Sequence, residues 1–117
     1  MDKEELKQRT KQFALRVVRL VEALPRGRMA DVLARQLLRS GTSVGANYRA
    51  ACRAKSTADF ISKMGTVEEE SDESLYWMEL LVEAEIVKAE RLESLMKEGN
   101  EILAITVASI NTAKKHK

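Results

Sequence analysis

The chain has 117 residues and a formal net charge of +2, with 44% hydrophobic residues, 32% charged residues and a single cysteine. This length and hydrophobic content predict one domain over residues 1–117 with a core of its own. No apolar run reaches about 18 residues, the charged N-terminus is unlike a secretory signal, and one cysteine excludes an internal disulfide, so we expect a cytoplasmic protein with no membrane partner.

The first helix is predicted over about residues 2–24. Ala, Leu, Glu, Lys and Arg dominate the composition, which is typical of helices. Leu6, Phe13 and Val17 are spaced seven and four residues apart and form an apolar stripe along one face. Pro25 cannot continue a helix interior, so a short turn follows.

The second helix is predicted over about residues 29–54, where apolar residues recur three, four and seven apart. Two positions of this seam are polar, Ser40 and Asn47. Gly41 and Gly45 each cost about 1 kcal/mol relative to Ala in a helix interior. We therefore expect a neighbouring helix to approach closely at these small residues.

The third helix is predicted over about residues 56–87, with Ser56 as its N-cap and Asp59 in its first turn. The fourth is predicted over about residues 90–113, and residues 114–117 are expected to fray. Besides its main stripe, the fourth helix carries a second apolar edge, which favours self-association because one bundle cannot cover both faces. The members of this edge are Met96, Leu103, Val107 and Ile110.

Four helices joined by connections of about two to five residues must each run antiparallel to the next. The predicted fold class is therefore all-α, an up-down-up-down antiparallel four-helix bundle.

The stretch from residue 36 to residue 60 resembles the signature of the 23S rRNA intervening-sequence proteins, a family of four-helix bundles. The matching residues are Gln36, Leu37, Arg39, Ser40, Ser43, Val44, Asn47, Arg53, Ser56 and Phe60. The resemblance implies a homo-oligomer, in particular a homopentameric ring or barrel. The family also resembles the accessory variability determinant proteins of diversity-generating retroelements, which implies nucleic-acid binding and a protein partner.

No catalytic constellation is present in the sequence. His116 is the only histidine, and no Glu-x-x-His motif accompanies the acidic pairs of the third helix. Cys52 has no histidine or second cysteine beside it and is expected to be a packed helix thiol. We therefore expect a protein that is not an enzyme and holds no cofactor and no metal.

Charge is divided unevenly along the chain. Residues 1–63 hold 14 Lys and Arg against 6 Asp and Glu, whereas residues 64–117 hold 6 against 12. One explanation is structural, since the arginines of the second helix can pair with the acids of the third and fix the register of the bundle. The polar network predicted in this way consists of Gln36, Arg39, Ser43, Asn47, Glu69 and Glu73.

The other explanation is functional, since a basic surface attracts phosphates. The cations that we expect to be left without acidic partners lie on the outer face of the first helix and in the turn after it, and they are the predicted nucleic-acid contacts: Lys7, Lys11, Arg16, Arg19, Arg26 and Arg28. Whether Arg39, Arg49 and Arg53 pair with the third helix or face a ligand stays open. The leading hypothesis is an oligomeric RNA-binding protein, and the alternative is a protein-interaction scaffold with no nucleic-acid role.

Overall fold

A computed structural model describes residues 1–116, and within them four α-helices follow one another. They are α1 (Lys3–Ala23), α2 (Arg28–Ala51), α3 (Thr57–Glu83) and α4 (Ala89–Lys115). Each helix packs antiparallel to the next, and α4 returns beside α1, which gives an elongated bundle of 47 × 21 × 21 Å. The predicted all-α four-helix bundle is confirmed.

Two of the helices begin at side chains that cap free backbone N–H groups. The side chain of Asp2 accepts a hydrogen bond from Glu5 N at 2.8 Å, and Ser56 Oγ accepts one from Asp59 N at 3.0 Å. Ser56 is therefore the N-cap of α3, as its sequence position predicts. At the other end of α1, the helix stops directly before Leu24 and Pro25.

The end of α3 lies earlier than predicted. The helix stops at Glu83, because Glu85 takes a left-handed backbone conformation with φ of 59°. Ile86 N then bonds to Leu81 O at 3.0 Å and Glu85 N to Val82 O at 3.0 Å. These two bonds form a Schellman motif, which closes the helix although Glu85 occupies the position that favours glycine.

Two other helix ends also differ from the prediction. Helix α2 stops at Ala51 and passes into a turn, three residues before the expected end. Helix α4 continues to Lys115, so the first two residues of the tail that was expected to fray are helical. Lys117, the last residue of that tail, lies outside the described residues.

The core runs along the whole bundle and contains side chains from all four helices. Its largest fully buried apolar members are Phe13, Leu37, Met64, Met78, Leu81, Leu92 and Ile102. Five serine and threonine residues are buried with them, and each bonds to a carbonyl three or four residues back, as Thr10 Oγ1 does to Leu6 O at 2.9 Å. Among residues 1–116, no buried side-chain polar atom lacks a hydrogen-bond partner.

The close approach expected at the small residues of α2 occurs between α1 and α2. A Cβ atom at Gly41 would lie 2.8 Å from Val17 Cγ2, and one at Gly45 would lie 3.3 Å from the backbone carbonyl of Thr10. Both contacts are tighter than a side chain normally allows. The absence of a side chain at these two glycines therefore lets the backbones of α1 and α2 come together within the chain.

The second apolar edge of α4 is largely used inside the bundle. Ile110 is buried, and Met96 and Leu103 are half-buried against the core. Val107 is the most exposed of the four, at 36%. The edge therefore offers a partner less apolar surface than its sequence pattern predicts.

No helix within residues 1–116 combines the length and the apolar character needed to cross a bilayer.

Candidate nucleic-acid interface

The cations of α1 that were predicted to contact nucleic acid do not share one face. Lys11 and Arg16 are five positions apart, which places their side chains about 140° apart around the helix axis. Lys7 and Lys11 lie towards α2, whereas Arg16 lies towards α4. Arg19 is exposed to solvent.

The α4 side of α1 uses its cations to join the two helices. Arg9 donates from Nε and Nη2 to the two carboxylate oxygens of Glu98, at 2.7 and 2.8 Å, and from Nη2 to Glu101 at 2.6 Å. The hydrogen bond to Glu98 raises the pKa of Arg9. Arg16 Nη2 donates to Ser94 Oγ at 2.8 Å. Arg16 is therefore a cross-link between α1 and α4 in this structure.

The α2 side of α1 borders an open groove of about 410 Å³, which we call the cationic groove. Three cations line it, two from α1 and one from α2. The only acid paired with any of them within residues 1–116 is Glu4, whose carboxylate lies 3.3 Å from Lys7 Nζ. The lining residues are Lys7, Gln8, Lys11, Ala14, Thr42, Gly45, Ala46 and Arg49.

The turn between α1 and α2 carries the other predicted cations. The side chain of Arg26 is 93% exposed, and its Nε lies 3.7 Å from Asp31 Oδ1, an ion pair that water screens. Arg19 and Arg28 are exposed, and neither forms an ion pair with any residue of the described range 1–116. The turn therefore presents positive charge to solvent.

Between α2 and α3, Arg39 bridges two acids. Its Nη1 donates to Glu70 Oε2 at 3.1 Å, and its Nη2 donates to Glu73 Oε1. Trp77 Nε1 donates to the same oxygen of Glu73 at 3.2 Å. Burial opposes ionisation of Glu73, but the hydrogen bonds from Arg39 and Trp77 lower its pKa on balance. The hydrogen bond with Glu73 likewise raises the pKa of Arg39.

The other residues expected in this network do not cross between helices. Gln36 Oε1 accepts from Arg39 Nε at 3.4 Å, and Ser43 Oγ donates to the backbone carbonyl of Arg39 at 2.7 Å. Asn47 is half-buried, and its Nδ2 donates to Ser43 O at 2.8 Å within the same helix rather than to a residue of another helix. Glu69 is exposed, and Glu70 takes the place facing Arg39.

A hydroxyl pair fills the seam between α2 and α3. The Oγ atoms of Ser40 and Ser74 lie 3.0 Å apart, and both side chains are fully buried. Tyr48 is buried one position beyond Asn47.

The burial of Ser74 had a signal in the sequence, because this residue falls seven residues after Val67 and thus on the same buried face of α3. Arg9 had none, since its partners are 89 and 92 positions away.

At the opposite end of the bundle from the turn, a cavity of about 530 Å³ is lined by Lys3, Tyr48, Cys52 and His116 among others. Burial raises the pKa of Tyr48. Cys52 is half-buried at the C-cap of α2. Among residues 1–116, no three His, Cys, Asp or Glu side chains converge in a way that fits a metal ion.

Comparison with known proteins gives a matching protein family and a similar solved structure. The family model of the 23S rRNA-intervening sequence proteins matches residues 2–108. A crystal structure of a protein of unknown function from the S23 ribosomal protein family of Bacteroides thetaiotaomicron superposes with a TM-score of 0.88 at 38% identity. The match covers 95% of this chain and 99% of that one. No curated protein matches the chain. Neither description names an enzyme.

Proposed function

This chain belongs to the 23S rRNA-intervening sequence protein family, and from that premise we propose that it is a non-enzymatic, oligomeric, cytoplasmic protein that binds RNA through a cationic surface. The observation that carries the proposal is the division of charge around α1 and the turn after it. Arg9 and Arg39 are neutralised by carboxylates of α4 and α3, whereas Lys11 and Arg19 are not paired with an acid within residues 1–116.

The uncompensated cations favour contacts with phosphates rather than with bases. Exposed rings for base stacking are few, since Tyr76 is the only aromatic side chain among residues 1–116 that is more than half exposed. Attraction between lysine or arginine and phosphate depends little on sequence and falls steeply with salt, because binding releases condensed counterions. Several copies of the surface in one oligomer raise the overall avidity.

Charge reversal at the turn tests the proposal. The triple variant Arg19→Glu, Arg26→Glu and Arg28→Glu is expected to lose retention of RNA at about 50 mM salt, where electrostatic binding is strong. The matched control reverses three exposed cations of the α3–α4 connection and α4, Lys88, Arg91 and Lys97, so that the net charge changes equally. Retention by the control and loss by the first variant support the proposal, and equal loss in both contradicts it.

Self-association is the second part of the proposal, and the family resemblance, which implies a homopentamer, supports it. Apolar side chains that stay exposed on the monomer, Val32 at 45%, Tyr76 at 53% and Val107 at 36%, are available to an interface. Light scattering at micromolar concentration measures the mass directly, and a monomeric mass contradicts this part. Comparing Tyr76→Lys with Val107→Lys identifies which face associates.

The alternative is a protein-interaction scaffold without a nucleic-acid role. Exposed acids along α3, including Glu69, Asp72 and Glu79, favour it because they repel RNA from that side of the bundle. The two functions separate in one measurement. If the wild-type protein retains no RNA at about 50 mM salt, the scaffold is the better account.

A further inference from the structure

The cationic groove combines three features on one surface: positive charge, an open floor and few competing acids. Lys7 and Lys11 lie one turn apart on α1, a separation of about 6 Å along the axis. Arg49 faces them from α2 across the groove. Lys11 and Arg49 are exposed, and neither is paired with a carboxylate within residues 1–116.

The floor of the groove is low because the residues that form it are small. At Gly45, even a Cβ atom would lie 3.3 Å from the carbonyl carbon and oxygen of Thr10, so no side chain fills the space between the helices there. Ala46 and Ala14 add only methyl groups. The close approach of α1 and α2 therefore produces a shallow channel with cations on both walls.

The walls offer donors of the kind that phosphate oxygens accept. Arginine presents a planar fork of N–H groups, and lysine presents a compact ammonium on a flexible stem. Gln8 adds an uncharged amide at the same rim. Lys7 has one competing contact, to the exposed carboxylate of Glu4 at 3.3 Å, and such a surface pair exchanges readily for another anion.

We propose that the sugar–phosphate backbone of RNA lies in the cationic groove, with its phosphates held between Lys11 and Arg49 and with Lys7 exchanging Glu4 for a phosphate. This inference rests on the proposed RNA-binding function and gives it a location. It assigns a ligand-binding role to Arg49 on α2. Arg16 joins α1 to α4 and is not among the ligand contacts. Recognition is of the backbone, so it is independent of base sequence.

A steric block tests the groove without changing charge. Ala46→Phe fills the floor of the groove, and Ala104→Phe places the same ring on an exposed position of α4. Fluorescence anisotropy with an end-labelled RNA of mixed sequence measures affinity. The block is expected to weaken binding about tenfold, which corresponds to loss of one charged hydrogen-bonded contact, and the control is expected to bind as the wild type does.

A charge test uses the same RNA. Arg49→Glu is expected to make the negative slope of log affinity against log salt shallower by at least about 1, since each lost phosphate contact removes about that much of its magnitude. Arg91→Glu, an equal reversal at an exposed position of α4, is expected to leave the slope unchanged. Thr42→Lys adds a cation to the groove and is expected to tighten binding, which keeps the test decisive if Ala46→Phe folds poorly.

The outcomes separate the groove from the function. Wild-type protein that fails to bind RNA overturns both the proposed function and this inference. Wild-type protein that binds, with Ala46→Phe, Arg49→Glu and Thr42→Lys all without effect, overturns the groove alone and leaves binding at the turn. Weaker binding by the first two variants together with tighter binding by the third supports the groove.

Discussion

Helix α1 is held to its two neighbours by different means. On its α2 side, Gly41 and Gly45 bring two backbones together, and within residues 1–116 no ion pair joins the two helices. On its α4 side the backbones stay further apart, and Arg9 reaches across to Glu98 and Glu101. One helix therefore uses backbone contact on one flank and long charged side chains on the other.

This difference decides which cations are free. On the closely packed α2 flank of α1, Lys11 and Arg49 form no ion pair within residues 1–116, so they stay available to a ligand. On the α4 flank, Arg9 spans the gap and is neutralised by Glu98 and Glu101, and Arg16 spans it to the hydroxyl of Ser94. A lysine or arginine of α1 therefore indicates a binding surface only once the side of the helix on which it lies is known.

The largest effect is expected from breaking the α1–α2 contact. Gly41→Val places methyl groups where even a Cβ atom would lie 2.8 Å from the fully buried Val17, so the helices must separate. We expect a loss of about 3 kcal/mol in the free energy of unfolding, measured by urea titration.

Gly65 on α3 gives the matched control, because nothing lies within 4 Å of a Cβ atom there. Gly65→Val is expected to leave the stability unchanged or to raise it slightly, since valine has a better helix propensity than glycine. If both variants lose the same stability, the close approach at Gly41 is not what holds α1 to α2.

A smaller effect is expected on the other flank of α1. Arg9→Met keeps the aliphatic stem but leaves Glu98, whose side chain is only 18% exposed, without its cation. We expect a loss of about 2 kcal/mol, the cost of losing hydrogen bonds to a charged group. Arg53→Met, at an exposed arginine, is the control. A melting curve of Arg9→Met that matches that of the control would show that the contacts of Arg9 with Glu98 and Glu101 add nothing to stability.

The smallest effect is expected at the rim between α2 and α3, where Arg39 is half exposed. The folded-state pKa of Glu73 lies below its ordinary value of 4.5, so its contribution to stability is present above that pH and is lost as the pH falls through the folded-state pKa. Water screens an exposed pair of this kind, so its contribution to stability is small. Glu73→Gln is therefore expected to be slightly less stable than wild type at neutral pH.

Measured towards acid pH, the free energies of unfolding of wild type and Glu73→Gln are expected to converge, because the protonated Glu73 no longer attracts Arg39. Curves that stay parallel down to about pH 3 would show that the ion pair has no part in the acid sensitivity of the protein. Together with the result for Arg9→Met, this measurement shows whether the contacts of Arg39, which are more exposed, contribute less stability than those of Arg9.

Apolar periodicity alone predicted the four helices and their antiparallel order, because a stripe at helical spacing must be buried and short connections leave one arrangement. The capping role of Ser56 was also predictable, because its hydrogen-bond partner lies only three residues away in the sequence. The glycines of α2 predicted a close approach of another helix, although not which helix.

Only the tertiary structure decided which charged groups meet. Glu69 and Glu70 lie four and three residues before Glu73. Both spacings place a carboxylate beside that of Glu73 on the helix surface, so spacing alone does not decide which acid shares its cation. The position of α2 selected Glu70, and the position of α4 selected Arg9 and Arg16 as cross-links. Sequence spacing fixes the angle of a side chain around its own helix, whereas its partner depends on where the neighbouring helix lies, and that is a property of the packed bundle.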